Sequence, residues 1–164
     1  MRPFDALVVD AAIHHLGKPY IWGGHGITAW TPNGLVSMAK FAGCPEAYDC
    51  AGLVTCSLFE ATAGRTDWRN SHNAQTLYDA LPTNTPGEAP DSFRLRFYGA
   101  DDKHVVHVSL QLGAADRMLV LQAGGGGSST TSYAEAIRRG ACVSLGHLER
   151  GDYLGSRSLL AVPH

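Results

Sequence analysis

A chain of 164 residues fits one domain, large enough to bury roughly 70% of the surface its unfolded form exposes. With 45% hydrophobic residues, 17% charged residues and a net charge of −2, it is composed like an ordinary soluble globular protein. No run of Lys or Arg breaks that balance, so neither nucleic acid nor an anionic membrane surface is an expected partner.

In chain order, residues 4–16 repeat Phe4, Leu7, Val8, Ala11, Ala12 and His15 at helical spacing, with Gly17 as the stop. Asp5 and Asp10 interrupt the apolar stretch, so the segment is expected to be a mature amphipathic helix, not a signal peptide, in a protein made in the cytosol. No apolar run has the length needed to insert into a membrane. "KPYIWGGHG" reads as a short extended piece ending in turn glycines. Residues 25–47 show no clean period and read as a long excursion with a short helix near 34–41. Leu53, Val54, Leu58 and Ala61 predict a second helix from Cys50 to Ala63, ended by Gly64. A third is expected over 70–81, ahead of Pro82 and a Pro/Thr/Gly-rich connection at 82–92.

The second half changes period. "FRLRFY", "HVVHVSLQL", "RMLVLQA", "ACVSLG" and "SLLAVP" read as strands. "GGGGSSTTS", residues 124–132, reads as a flexible loop that lacks both the lysine of a phosphate-binding loop and a GxGxxG spacing. Helices first and strands second predict an α+β fold, with N-terminal helices packed on an antiparallel sheet.

Within "HVVHVSLQLGAADRMLVLQA", a turn at Gly113–Asp116 sets Leu112 opposite Arg117. Leu110 then faces Leu119, Val108 faces Leu121 and Val106 faces Ala123, an apolar set for the core. On the other face His107 meets Gln122. A slip of one residue would bury the wrong face, so parity is constrained more tightly than the pairing itself. By themselves these residues fit either a solvated histidine on a polar strand face or an imidazole oriented by a carboxamide.

Four cysteines without a secretory signal read as reduced thiols. Cys44, Cys50 and Cys56, with five residues between neighbours, do not have a usual zinc spacing, and no HExxH occurs, so no metal is expected. Cys44, Cys56 and Cys142 read as small core or loop residues. Cys50 differs, because it stands where the second helix begins, and backbone N–H groups with the positive end of a helix dipole favour a thiolate there. A helix-start cysteine paired with a histidine from a later strand and a third polar group follows papain-like logic. The Cys50 N–H is also a candidate oxyanion donor. Asp49 reads as a helix cap or as a binder of a substrate amine, and Tyr20, by itself, as a half-buried aromatic before a turn. Trp22 reads as packing.

"GKPYIWGG", "DCAGLV", "HVSLQLG" and "LQA" together resemble the NlpC-type cell-wall cysteine peptidases, in which Tyr-x-Trp-Gly-Gly precedes Asp-Cys-Ser-Gly-Leu-Val and a His-Val strand follows. "HNAQ" at 72–75 is similar to the family's Ser-x-x-Gln segment. The resemblance spans residues 17–123 in order and implies a papain-like fold with Cys50 as nucleophile, His107 as base and Gln122 as the third residue. His104, on the opposite pleat, is not the expected base. The resemblance also implies Tyr20 and Asp49 at the substrate, no cofactor, and the peptide stem of bacterial peptidoglycan as partner.

The activity it implies is amide hydrolysis by a thioester route, most commonly between D-γ-glutamate and the diamino acid, with muramoyl-alanine amide cleavage as the competitor. An endolysin released through a holin, or a virion-associated wall hydrolase, is the expected setting. A non-catalytic phage tail module and an acyltransferase are the alternatives from other classes. Ala51 stands where the family has serine, about twenty residues are inserted between Gly24 and Tyr48, and "TPGEAPDSF" departs from Pro-Gly-Asp-Leu. These departures bear on substrate preference more than on mechanism.

Overall fold

The computed structural model describes residues 3–83, 93–112, 119–147 and 150–159. Among them the chain order is α1 (Pro3–His14), β1 (Gly24–Gly26), β2 (Thr28–Thr31), β3 (Gly34–Ser37), α2 (Met38–Ala42), β4 (Ala47–Tyr48), α3 (Cys50–Ala61) and α4 (Ala74–Ala80). There follow β5 (Arg94–Gly99), β6 (Val105–Leu112), β7 (Leu119–Gly124), α5 (Tyr133–Arg139), β8 (Cys142–His147) and β9 (Tyr153–Arg157). The architecture is the expected α+β one. A five-stranded antiparallel sheet, ordered β8-β7-β6-β5-β9, packs against α3 and α4 through β6 and β7, and a smaller sheet, ordered β3-β2-β1-β4, packs against α2.

The central helix is α3. Every residue from Cys50 to Leu58 is buried, between α1 on one side and β6 and β7 on another. A helix covered all round cannot send its hydroxyls to water, so they turn back on the helix. Thr55 Oγ1 donates to the Ala51 carbonyl (3.0 Å), Ser57 Oγ to Leu53 (2.8 Å) and Thr62 Oγ1 to Leu58 (2.9 Å). The main core joins Leu53, Val54 and Leu58 to Phe97, Val108, Leu110, Leu121 and Val143. α1 presents Val8 and Ala12 to it, whereas Leu7 stays 54% exposed.

Several expectations are corrected. Residues 25–47 are not an irregular excursion: they supply nearly all of the smaller sheet, and the short helix falls at Met38–Ala42. The third helix is shorter than expected, because Asn73 caps it in a reciprocal box with Thr76. α5 and β9 lie where no element is expected, and α5 follows directly on the glycine-rich stretch. That stretch is tied down: Trp22 N donates to the Thr130 carbonyl (2.8 Å), and Thr130 Oγ1 to the Gly126 carbonyl (2.7 Å). Ser158 and Leu159, expected to open a last strand, lie outside any strand, and residues 160–163 of that segment lie outside the described residues.

The β6–β7 pairing keeps the expected parity but not the expected partners. Leu110 lies opposite Leu121, Gln111 opposite Val120 and Leu112 opposite Leu119. The turn assigned to Gly113–Asp116 lies outside the described residues. Val106 does not enter the core. The β5–β6 register shifts between Tyr98 and Gly99, pairing Tyr98 with His107 and Gly99 with Val105, and this bulge leaves Val106 61% exposed. Among the described residues, no helix is long and apolar enough to cross a membrane.

Candidate active site

Cys50 is placed by its cap. Asp49 precedes α3 in extended conformation, and its Oδ1 accepts from Gly52 N at 2.6 Å. Its Oδ2 accepts from Gly23 N at 3.0 Å, which ties the helix start to the turn before β1. Asp49 N in turn donates to the Gly24 carbonyl (2.9 Å). This approach is close enough to require glycine at 52, because a Cβ there would lie 1.9 Å from the Gly24 oxygen. The structure thus makes Asp49 a cap.

The Cys50 sulfur emerges against the part of β6 that has parted from β7. Beyond the Leu110–Leu121 pair, the Val106 carbonyl lies 4.0 Å from Sγ, and the Val108 N–H faces it. Cys50 is only 6% exposed, yet it lines a cleft of about 920 Å³ together with Tyr20, Asp49, His107 and Gln122. All five residues singled out from the sequence therefore open onto one space.

His107 and Gln122 are in direct contact, with Nε2 and Oε1 2.7 Å apart. A carboxamide oxygen only accepts, so Nε2 carries the ring proton and Nδ1 keeps a lone pair. β6 is held at its start by Gln75, whose Oε1 accepts from Val105 N (2.8 Å) while Nε2 donates to the Asp102 carbonyl (2.9 Å). "HNAQ" thus supplies a clamp on the histidine strand. His104 lies just before β6, exposed, with Nδ1 2.7 Å from Asp101 Oδ1.

The electrostatics differ from the expected helix-stabilised thiolate. Burial, reinforced by the Asp49 carboxylate, pushes the Cys50 thiol up to about 12, against the pull of the Val108, Ala51 and Cys50 N–H groups. Burial also takes His107 down to about 4, although the bond to Gln122 works the other way. The resting pair is accordingly a neutral thiol and a neutral imidazole. The Tyr20 hydroxyl is held protonated by burial and by the nearby Cys50 and Asp49. Its ring packs on Gly126, where a Cβ would come within 2.2 Å.

Some lining residues carry no sequence signal that singles them out. His25, buried on β1 with Nδ1 3.5 Å from Thr55 Oγ1, has its pKa lowered by burial. Arg150, paired with Asp152, extends its guanidinium over the Tyr98 ring at 5.2 Å and lines the cleft. Trp22 is not packing but stands 47% exposed in the lining, as does Trp30 at 54%. The Tyr-x-Trp spacing of the family resemblance includes Trp22, whereas nothing in the sequence singles out Trp30.

No family model and no curated protein sequence matches the chain. Solved structures do. RipD from Mycobacterium tuberculosis, described as a non-catalytic NlpC/p60 domain protein adapted to peptidoglycan binding, aligns over 98% of this chain and 100% of its own, with a TM-score of 0.61 and 18% identity. The chain has the NlpC/p60 fold. The peptidoglycan hydrolase RipB, also from M. tuberculosis, aligns over 95% of this chain but 64% of its own, with a TM-score of 0.61 and 22% identity. The P60 domain of an antigen from M. avium subspecies paratuberculosis covers 94% of this chain and 93% of its own at TM-score 0.60 and 19% identity. The NlpC/p60 fold thus comes in a hydrolytic and in a non-catalytic, wall-binding form.

Proposed function

We propose that the protein hydrolyses an amide bond in the peptide stem of bacterial peptidoglycan, with Cys50 as nucleophile, His107 as base and Gln122 orienting the ring. The observation that carries this reading is the His107–Gln122 bond of 2.7 Å in the same cleft as a helix-start cysteine. With Nε2 committed to Gln122, Nδ1 is the atom available to take the thiol proton. Sulfur bonds to the carbonyl carbon as the proton moves to Nδ1, and the carbonyl electron pair moves onto oxygen, where the Cys50 N–H is the candidate donor. Collapse breaks the C–N bond, and the amine leaves with the proton from His107. Water, giving a proton to Nδ1, then cleaves the thioester and restores the thiol.

Because the resting pair is neutral, proton transfer accompanies attack and does not precede it. Gln122 carries no charge to stabilise the imidazolium, so its contribution is orientation. The bond favoured by the family resemblance is that between D-γ-glutamate and the diamino acid, with the muramoyl-alanine amide as the alternative. Digestion of purified peptidoglycan by wild type and Cys50→Ala, followed by mass analysis of the fragments, tests activity and bond together. Soluble fragments from wild type alone support hydrolysis, and their masses identify the bond.

A second reading is favoured by the full-length likeness to RipD and by the protonated, buried thiol. In it the cleft binds stems without cutting them. Sedimentation with insoluble peptidoglycan, equal for wild type and Cys50→Ala and without fragment release, would select it.

A further inference from the structure

The cleft is wider than a peptide bond requires, and one part of its rim is aromatic. Trp22 and Trp30 both line it, and both leave about half of their surface in water. Their backbones are anchored: Trp30 N donates to the Gly23 carbonyl (2.8 Å), next in chain to Trp22, whose own N–H is held by Thr130. β2 and its partner β3, paired from Thr28–Ser37 to Thr31–Gly34, hold Trp30 in place. Two indoles on fixed backbone are pre-organised surfaces that lose little freedom when a ligand settles on them. Trp30 belongs to the stretch inserted between Gly24 and Tyr48, and so to the part of the cleft this chain has rebuilt.

The rest of the lining indicates the ligand. Asn70, Ser71 and Asn73 add uncharged hydrogen-bonding groups, and the two guanidiniums in the lining, Arg69 and Arg150, are already paired with Asp67 and Asp152. Among the described residues the single carboxylate in the lining is Asp49, and both of its oxygens are taken by backbone N–H groups of Gly52 and Gly23. A stem with a free amino terminus therefore meets no uncommitted anion here. A stem whose terminus is acylated by a sugar acid needs none, and it brings a pyranose ring, apolar on its faces and polar at its edges. Half-exposed indoles beside neutral amides and hydroxyls fit that chemistry better than a wholly apolar side chain, which would favour an enclosed pocket.

We infer that the Trp22–Trp30 rim is a saccharide subsite that seats the amino-sugar unit bearing the stem, so that glycan-attached stems are favoured over free peptides. This rests on the proposed action at peptidoglycan stems.

The experiment compares disaccharide-peptides, released from diaminopimelate-type peptidoglycan by a muramidase, with the same peptides after enzymatic removal of the sugars. Wild type is expected to show kcat/KM about tenfold higher for the disaccharide form, the size of one good aromatic contact. In Trp30→Ala the ratio of the two values falls toward one, and Trp30→Tyr restores part of it. A ratio near one in wild type, or a fall of both values in Trp30→Ala with the ratio kept, overturns the inference. Tryptophan fluorescence of Cys50→Ala, titrated with the two ligands, reads binding separately from hydrolysis. Tighter binding of the disaccharide form that disappears in Cys50→Ala/Trp30→Ala upholds the subsite even where wild type cuts neither substrate, in which case the hydrolase reading alone fails. Equal affinities in that titration overturn the subsite.

Discussion

His107 Nε2 reaches Gln122 Oε1 at 2.7 Å although the two residues are not cross-strand partners. The register that sets Leu110 against Leu121 makes Gln122 a diagonal neighbour of His107, displaced by two residues along β7 from the directly opposite position. A diagonal contact is within reach of a long side chain, and glutamine has the length for it.

The first prediction follows from that length. Gln122→Ala leaves the ring without its acceptor, and Gln122→Asn has an acceptor one methylene too short. Both are expected to lower kcat on peptidoglycan by about ten- to a hundredfold with little change in KM, because orientation is lost and charge is not. Nitrogen NMR of the His107 ring gives an independent check. Wild type should show the Nε2–H tautomer, and Gln122→Ala a mixture.

Thiol reactivity reports the protonation of the resting pair. With Cys50 pushed up to about 12 and His107 down to about 4, alkylation of Cys50 by iodoacetamide should rise steadily across neutral and alkaline pH. A plateau that begins in mildly acidic solution would mean that a thiolate–imidazolium pair exists before substrate arrives. Peptide mass mapping separates Cys50 from Cys44, Cys56 and Cys142.

Burial of a neutral imidazole also makes stability depend on pH. The unfolded chain takes up the His107 proton near pH 6.5, and the folded chain only near about 4, so acid favours the unfolded state over that interval. The stability associated with His107 is therefore whole above about pH 6.5 and falls as pH drops toward 4, by on the order of 3 kcal/mol. Urea titrations at the two ends of that interval should show the loss in wild type, and a clearly shallower slope in His107→Asn.

Gly52→Ala tests the joint between α3 and β1. The added methyl would sit 1.9 Å from the Gly24 carbonyl oxygen, a backbone atom that cannot swing aside. The cost should be about 3 kcal/mol, at the upper end for overpacking, read as a lower Tm. Activity should fall with it, since the same joint presents Cys50.

Much of this candidate site is legible in the sequence. Period-two alternation puts His107 on one side of β6 and Val108 and Leu110 on the other, and an aspartate followed by small residues predicts a capped helix beginning at Cys50. Those inferences are local, because each depends on residues a few positions apart. Whether Leu110 pairs with Leu119 or Leu121 is a different matter: both pairings keep every side chain on its face, so the alternation is blind to a shift of two. The bulge that exposes Val106, the small sheet built from residues 25–47, and Trp22 standing in the cleft were likewise decided by the tertiary structure. So was the protonated state of Cys50, because the charge a buried sulfur can bear depends on every dipole and every missing water around it, brought together from α3, β6 and the Asp49 cap only when the chain has folded.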